Sequence, residues 1–245
     1  MPAGSATSKK VIGLAKTLSE AVEQIDFSDA VPWVYNPLNY AWNAHKEYLN
    51  KYARKSCRFL MLGMNPGPWG MAQCGVPFGE IAFVKKYLGI NAKVAKPDPE
   101  HPKRPIEGLD CARSEVSGRR LWGLMHEKYP KANDFFYEHF VANYCPLIFM
   151  EESARNVTPD KLPAAIRCEL ELQCDAHLAG LIETLQPEFL VGVGAFAENC
   201  GKRVIEKAGL ELQVGRILHP SPASPAANKD WAGTATKQLE TLGIW

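Results

Sequence analysis

The chain has 245 residues, of which 46% are hydrophobic and 22% charged, so it can bury a full core and is not disordered, collagen-like or a coiled coil. Its net charge of +1 gives no global sign of a nucleic-acid or membrane partner, so any such partner must be met by a local patch. The seven cysteines are odd in number and form no Cys-x-x-Cys pair, which favours reduced, mostly buried thiols over disulfides or metal sites.

The N-terminal part of the chain predicts a short tail followed by one domain. Residues 1–10 are small and polar and end in two lysines, so we expect a flexible segment there and a single domain over residues 11–245. Helical spacing of apolar residues predicts a first helix over 11–25. The aromatic-rich stretch 31–52 predicts a loop that leads into a second helix. No apolar stretch reaches membrane-spanning length, so no membrane contact is expected.

Short apolar runs and helical stretches alternate along the rest of the chain. The runs predict buried strands over 58–63, 140–146, 189–194 and 214–220. The main helical stretches cover 162–185, 195–208 and 226–242. This alternation predicts an α/β protein: a single-domain, three-layer α/β/α fold with a central, mainly parallel four-stranded sheet.

The ends of the predicted strands indicate where a ligand would bind. In a parallel sheet the carboxyl ends of the strands share one edge, and ligands bind in the crevice beyond it. Asn65, Asn143, Gly194 and His219 are expected at that edge. Residues 91–118 hold four prolines, several basic residues and no clear periodicity, which predicts a long surface excursion.

Two loops at this edge have unusual sequences. Residues 63–79 contain five glycines and three prolines, so the backbone is stiffened and can approach a ligand closely. This loop has neither the Gly-Lys-Ser/Thr ending of a phosphate-binding loop nor the Gly-x-Gly-x-x-Gly turn. In His219-Pro-Ser-Pro-Ala-Ser-Pro225, prolines alternate with serines ahead of a helix, a pattern suited to contacts with phosphate oxygens.

Other hydrolase sites find little support in the sequence. There is no Gly-x-Ser-x-Gly elbow for an esterase. Glu151 and Glu152 would need a partner acid to hydrolyse sugars, and their surroundings indicate a solvated turn.

The chain resembles the single-strand-selective monofunctional uracil-DNA glycosylase family of the uracil-DNA glycosylase superfamily. The resemblance spans about residues 30 to 243 and rests on matching segments in order: 63–80, Glu115-Val-Ser-Gly, Asn143-Tyr-Cys-Pro-Leu, Arg155-Asn-Val-Thr-Pro, Val191-Gly-Val-Gly, and His219-Pro-Ser-Pro with Asn228, Lys229 and Trp231. It implies the uracil-DNA glycosylase fold and a monofunctional enzyme that flips uracil out of DNA. The enzyme hydrolyses the N-glycosidic bond and leaves an abasic site for base excision repair. Further candidate substrates are 5-hydroxymethyluracil and deaminated purines.

The resemblance also assigns roles by position. It implies that Asn65 positions the attacking water and that His219 stabilises the departing uracil anion at O2. Phe78 would stack on the flipped base, although core packing explains this ring equally well, and Asn143 would read the uracil edge. The residues expected near C5 of the base are Met64 and Gly67. The expected DNA contacts are Pro220, Ser221, Pro222, Ala223, Ser224 and Lys229, with Arg119 and Arg120 as further local cations.

The sequence departs from the family at three positions. Trp69 and Cys74 stand where the family usually has phenylalanine and threonine. Ala223 stands where some relatives have an arginine that wedges into duplex DNA, which weakens the expectation of strong double-strand activity.

Several expectations complete this interpretation. The partner is DNA containing uracil or related lesions, single- or double-stranded, and the enzyme is expected to be a monomer with no metal and no cofactor. It works inside the cell, in the nucleus of a eukaryote or the cytoplasm of a bacterium. Neither active-site loop contains lysine, so no strand scission is expected. The alternatives are a non-catalytic relative that binds damaged or single-stranded DNA, and a nucleotide-binding α/β protein of other chemistry.

Overall fold

The computed structural model describes residues 5–245, and at its centre lies a four-stranded sheet. The strands in chain order are β1 (Trp33–Tyr35), β2 (Phe59–Gly63), β3 (His139–Asn143), β4 (Ile148–Met150), β5 (Asn156–Val157), β6 (Phe189–Val193) and β7 (Gln213–Ile217). The central sheet has the order β3-β2-β6-β7, and every neighbouring pair is parallel. The predicted α/β class and four-stranded sheet are therefore confirmed.

Helices pack around this sheet. They are α1 (Ala6–Val22), α2 (Pro37–Tyr40), α3 (Trp42–Tyr52), α4 (Met71–Cys74), α5 (Ile81–Lys86), α6 (Val116–Lys128), α7 (Ala132–Glu138), α8 (Ala164–Leu185), α9 (Ala195–Ala208) and α10 (Pro225–Thr241), with single 3-10 turns at Gly108–Asp110 and Pro159–Lys161. Helix α9 packs on β2, β6 and β7, α8 contacts both α1 and α9, and α10 contacts β7 and α6. None of these helices is long and apolar enough to cross a membrane.

The apolar runs of the sequence become strands because they are covered on both faces. Every residue of β2 and of β6 is buried, as expected for the inner strands of a parallel sheet. One hydrophobic core cluster reaches from Val11 in α1 to Ile244 at the end of the chain. The seven cysteines all carry free thiols, and only Cys168 is exposed.

The first helix begins earlier than predicted. Helix α1 starts at Ala6 because Ser5 caps it, accepting a hydrogen bond from the Ser8 amide at 3.1 Å. Ser8 is itself buried. Residues 6–10 therefore belong to a helix and not to the predicted flexible segment, whose first four residues lie outside the described part of the chain.

A second sheet is absent from the sequence-based prediction. Strands β1, β4 and β5 form a three-stranded antiparallel sheet in the order β1-β4-β5. Strand β1 lies in the aromatic stretch that we expected to be a loop. Its three residues are too few to show the alternation by which a strand is recognised.

The predicted excursion is shorter than expected and more firmly packed. It ends at Glu115, whose side chain caps α6 by accepting a hydrogen bond from the Ser117 amide at 3.3 Å. Four residues of this segment are buried: His101, Ile106, Gly108 and Cys111. The segment is thus a packed wall of the molecule and not only a surface loop.

His45 and His139 are buried histidines whose environment favours the neutral imidazole. The Nδ1 atom of His45 donates to the Gly75 carbonyl oxygen at 2.7 Å, because a carbonyl can only accept. The Nδ1 atom of His139 contacts the Phe135 carbonyl in the same way at 3.1 Å, while its Nε2 has no partner among the described residues. Burial lowers the pKa of each imidazole to about 4.

These pKa values predict a loss of stability in mild acid. An unfolded histidine has a pKa of about 6.5, so below that pH the unfolded chain binds protons that the folded chain excludes. The contribution of each neutral histidine to the free energy of unfolding is fully present above pH 6.5. It is lost as the pH falls towards the pKa of about 4 that the histidine has in the folded protein. Between pH 7 and pH 5 the free energy of unfolding should drop by about 2 kcal/mol per histidine. Urea denaturation at both pH values measures this.

Variants separate this cause from general acid sensitivity. His45→Gln keeps a donor for Gly75 and should reduce the pH dependence, and exposed His126→Gln serves as the control. An unchanged free energy of unfolding from pH 7 to pH 5 in the unmodified protein would contradict the account.

Candidate active site

A cleft of about 370 Å³ opens at the carboxyl edge of the central sheet, beyond the ends of β2, β3 and β7. The sequence-predicted residues in its lining are Met64, Asn65, Gly67, Phe78, Asn143, His219, Ser221 and Pro222. The predicted residues that do not line it are Pro220, Ala223, Ser224 and Lys229. Gly194 does not line it either, but it packs against His219: a Cβ atom at Gly194 would lie 3.1 Å from Cβ of His219.

The first active-site loop starts from a rigid point. Gly63, the last residue of β2, pairs with Asn143, the last residue of β3. The hydrogen bonding continues beyond the strands, because Tyr144 N donates to the Gly63 oxygen and Cys145 N to the Met64 oxygen, both at 2.9 Å. The backbone on either side of Asn143 is therefore fixed against the backbone that leads to Asn65.

The absence of a side chain at Gly63 allows two functional groups to meet. A Cβ atom there would lie 2.5 Å from the Phe78 ring and would also collide with the Asn143 carboxamide oxygen. Real Cβ atoms do not approach other atoms so closely. Phe78 and Asn143 thus occupy the space above the end of the central strand.

A hydrogen bond fixes the orientation of the Asn65 side-chain amide. Its Nδ2 donates to the Leu147 carbonyl oxygen at 3.1 Å, which assigns the amide orientation. The Oδ1 atom is then the group that can accept a hydrogen bond from a water molecule in the cleft.

Phe78 adopts a strained backbone conformation at the cleft wall. Its φ of +53° lies in the left-handed region, which costs a non-glycine residue about 1–3 kcal/mol. The ring is half-buried against the core and lies 6.2 Å from the His219 ring at 43°. Gly118 in α6 permits close approach of the Phe78 carbonyl, since a Cβ there would collide with it. The ring serves the core and the cleft wall together.

His219 is held as a neutral imidazole with a defined tautomer. Its Nδ1 accepts a hydrogen bond from the Ser221 amide at 3.1 Å, so in the neutral ring the proton is carried by Nε2. Burial lowers the pKa of this imidazole. Protonation of Nδ1 would also place two donors face to face. The ring therefore offers one donor, Nε2–H, without carrying a charge.

A hydrogen-bond network fixes the loop that follows His219. Arg120 donates to the carbonyl oxygens of Pro220 and Ser221 at 2.9 and 3.3 Å. It also donates to Asn228 Oδ1 at 2.9 Å, and Asn228 in turn donates to the Pro222 carbonyl oxygen at 2.8 Å. We expected Arg120 to serve as a cation for DNA. Its guanidinium instead forms hydrogen bonds that position this loop.

Four cleft residues outside the two active-site loops had no assigned role in the sequence analysis: Glu115, Ser117, Asn156 and Thr158. The Glu115 carboxylate lies 2.6 Å from where a Cβ of Gly67 would stand, so the side chain closes the cleft beneath that glycine. Burial raises the pKa of Glu115 in spite of hydrogen bonds from the Ser117 and Trp69 amides. The Oδ1 atom of Asn156 is buried and has no partner among the described residues. The segments that contain these residues contributed to the family resemblance, and that was the only available signal.

Comparisons with known proteins agree with this site. The model of the uracil DNA glycosylase superfamily matches residues 49–240. The chain is 45% identical over 227 residues to the bovine (Bos taurus) single-strand selective monofunctional uracil DNA glycosylase, covering 93% of this chain and 84% of the relative. The rat (Rattus norvegicus) protein of that name is also 45% identical, with 93% and 82% covered.

The chain belongs to the single-strand-selective monofunctional uracil DNA glycosylases. Membership confirms the resemblance drawn from the two active-site loops and the segments between them. The crystal structure of wild-type SMUG2 from Pedobacter heparinus superimposes with a TM-score of 0.64 over 94% of this chain and 97% of that chain. At 13% identity this match shows a shared fold.

The network around Arg120 predicts a positioning role that can be tested. Arg120→Ala should lower the rate of base excision about 10- to 100-fold, since hydrogen bonds to charged groups contribute about 1.5–3 kcal/mol each. Arg216→Ala, at an exposed arginine of β7 outside the cleft, is the matched control and should stay within a factor of about three. Single-turnover kinetics with a uracil-containing oligonucleotide measures both. Equal rates for the two variants would remove Arg120 from the positioning of His219.

Proposed function

We propose that this protein is a monofunctional DNA glycosylase that hydrolyses the N-glycosidic bond of uracil in DNA and leaves an abasic site for base excision repair. The observation that carries the proposal is the meeting of Asn65, Phe78, Asn143 and His219 in one cleft. As further substrates we propose 5-hydroxymethyluracil and deaminated purines, admitted where Met64 and Gly67 border the cleft.

The leaving group is the first chemical problem. Breaking the bond between C1′ and N1 gives the sugar oxocarbenium character and leaves negative charge on the base. A fixed dipole directed at that charge lowers the barrier because it needs no reorganisation. We assign this role to Nε2–H of His219, acting on uracil O2. The hydrogen bond from Ser221 to Nδ1 supports this assignment, since it leaves Nε2 as the donor.

The attacking water is the second problem. An asparagine amide cannot take up a proton at neutral pH, so Asn65 acts by orienting water and not as a general base. Its Nδ2 is occupied by Leu147, which leaves Oδ1 to accept from that water. Such weak assistance is sufficient when the bond between C1′ and N1 breaks before the water attacks. The water then adds to a sugar that is already nearly an oxocarbenium ion.

Recognition of the flipped base falls to Phe78 and Asn143. Stacking on an aromatic ring is worth about 1–3 kcal/mol and recovers part of the cost of unstacking the base. The Asn143 amide can accept from uracil N3–H and donate to O4, whereas cytosine presents the opposite pattern. The only partner of Asn143 Nδ2 among the described residues is the weak acceptor Sδ of Met71, at 3.3 Å, so the donor is readily available.

The DNA strand would pass over the ridge formed by residues 220–224. The hydroxyl oxygens of Ser221 and Ser224 accept hydrogen bonds from the amides of Ala223 and Ala227, so their protons can be directed at phosphate oxygens. Pro220 and Pro222 shape the ridge, and exposed Lys229 supplies a charge on α10. The small side chain of Ala223 cannot fill a vacated position in a duplex, which favours single strands.

Two further properties belong to this proposal. A monomer suffices, since every residue in the proposed mechanism comes from one chain. Free thiols at all seven cysteines fit a reducing compartment, which is the nucleus in a eukaryote or the cytoplasm in a bacterium.

Uracil release is the direct test. Oligonucleotides with uracil in a single strand, in U:G and in U:A pairs, with matched hypoxanthine substrates, are incubated with the protein, and abasic sites are cleaved with alkali. We expect release of uracil, fastest from the single strand. Asn65→Ala should slow release at least about 100-fold, since misplacing a reactant by an ångström costs that much. His219→Leu should slow it about 100- to 1000-fold.

The control is Asn133→Ala, an exposed asparagine outside the cleft. Its rate should match that of the unmodified protein. Binding of these oligonucleotides without release of any base would contradict the proposal and favour a DNA-binding protein without catalysis.

A further inference from the structure

One tryptophan and two arginines form a cluster beside the cleft. The guanidinium carbon of Arg113 lies 4.4 Å from the centroid of the Trp69 ring, and that of Arg104 lies 5.1 Å from it. We call these three residues the basic shelf. Trp69 stands between Pro68 and Gly70, which both line the cleft, so the shelf continues the cleft wall.

A buried glutamine holds the two segments of the shelf together. Gln73 is fully buried, and its Nε2 donates to the carbonyl oxygens of Pro68 and Pro105 at 3.2 and 3.1 Å. Its Oε1 accepts from the amides of Glu107 and Gly108 at 2.8 and 3.2 Å. All four hydrogen-bonding positions of the amide are used. The segment with both arginines is therefore fixed on the first active-site loop.

The two positive charges of the shelf have no acidic partner. Both guanidinium carbons lie within 5.1 Å of one ring centroid, so they are at most about 10 Å apart. Neither forms an ion pair within residues 5–245. Nearby Glu100 is already bound to Lys96 at 3.2 Å and to the Ile106 amide at 2.8 Å. The Glu115 carboxylate accepts a hydrogen bond from the Trp69 amide and so lies close to the shelf, but neither guanidinium is bound directly to a carboxylate of the described residues.

We propose that the basic shelf binds a backbone phosphate of the DNA strand next to the flipped nucleotide. This inference rests on the proposed function, which supplies the DNA. Arginine presents several donors in a rigid fork that matches a phosphate. Guanidinium groups already lie over the Trp69 ring, so the shelf offers charge and not a free surface on which a base could stack. It holds the strand from the side of loop 63–79, while the ridge at 220–224 holds it from the side of His219.

Salt dependence of binding is the direct test. A labelled single-stranded oligonucleotide without uracil is titrated by fluorescence anisotropy over a range of KCl concentrations, with the 245-residue protein and its variants. Each phosphate contact on a single strand contributes about 0.7 to the slope of log K against log salt. Arg113→Gln and Arg104→Gln should each reduce the slope by about 0.7 and raise Kd at 0.1 M salt about fivefold. Arg113→Lys should keep the slope.

Matched controls define the outcomes. Lys128 lies 4.5 Å from the Trp245 ring at the far end of α6, so Lys128→Gln removes a cation of the same kind outside the cleft. Phosphate binding by the shelf is contradicted if both arginine variants keep the slope of log K against log salt. It is also contradicted if Lys128→Gln reduces that slope equally. It is also contradicted if Trp69→Ala weakens binding with no change of slope while Arg113→Gln has no effect, since this indicates base stacking.

The same preparations are assayed for uracil release, which separates this inference from the proposed function. If the slope is reduced in the arginine variants but the unmodified protein releases no uracil, phosphate binding by the shelf is supported and the proposed glycosylase activity is contradicted. Uracil release with unchanged slopes contradicts the shelf alone.

Discussion

The site depends on what occupies the space above the end of strand β2. This strand is central in the sheet and buried along its whole length, so its position is fixed by the core. Its last residue is a glycine, and the Phe78 ring and the Asn143 carboxamide fill the place of its side chain. Since protein interiors are close-packed, any side chain at this position would displace one of the two groups. The packing at the end of β2 therefore also determines the shape of the base pocket.

The polar groups of the cleft are oriented before any ligand arrives. The Leu147 carbonyl orients Asn65, and the Ser221 amide sets the tautomer of His219. Arg120 holds the backbone around that amide. These partners are backbone groups and the half-buried side chain of Arg120, so the dipoles stay in place while charge develops on the substrate. The strained backbone of Phe78 is a local cost of the same arrangement.

Sequence patterns predicted the central sheet because buried parallel strands are continuous apolar runs, and β6 was predicted to within one residue. They did not predict β1, which has three residues, or the start of α1, which depends on a single capping serine. In the cleft, Asn65 and His219 follow strands and stand in distinctive loops. Contacts between distant segments leave no such pattern in the sequence. Only the three-dimensional structure shows the hydrogen bonds from Arg120 to the carbonyl oxygens of residues 220 and 221, and the burial of Glu115.

The placement of the base is the central claim, and a crystal structure of Asn65→Ala with a uracil-containing single strand tests it most directly. The account predicts that the uracil stacks on Phe78, with its N3 and O4 edge on Asn143 and its O2 at Nε2 of His219. A uracil bound outside the cleft, or one whose O2 faces away from His219, would contradict the account.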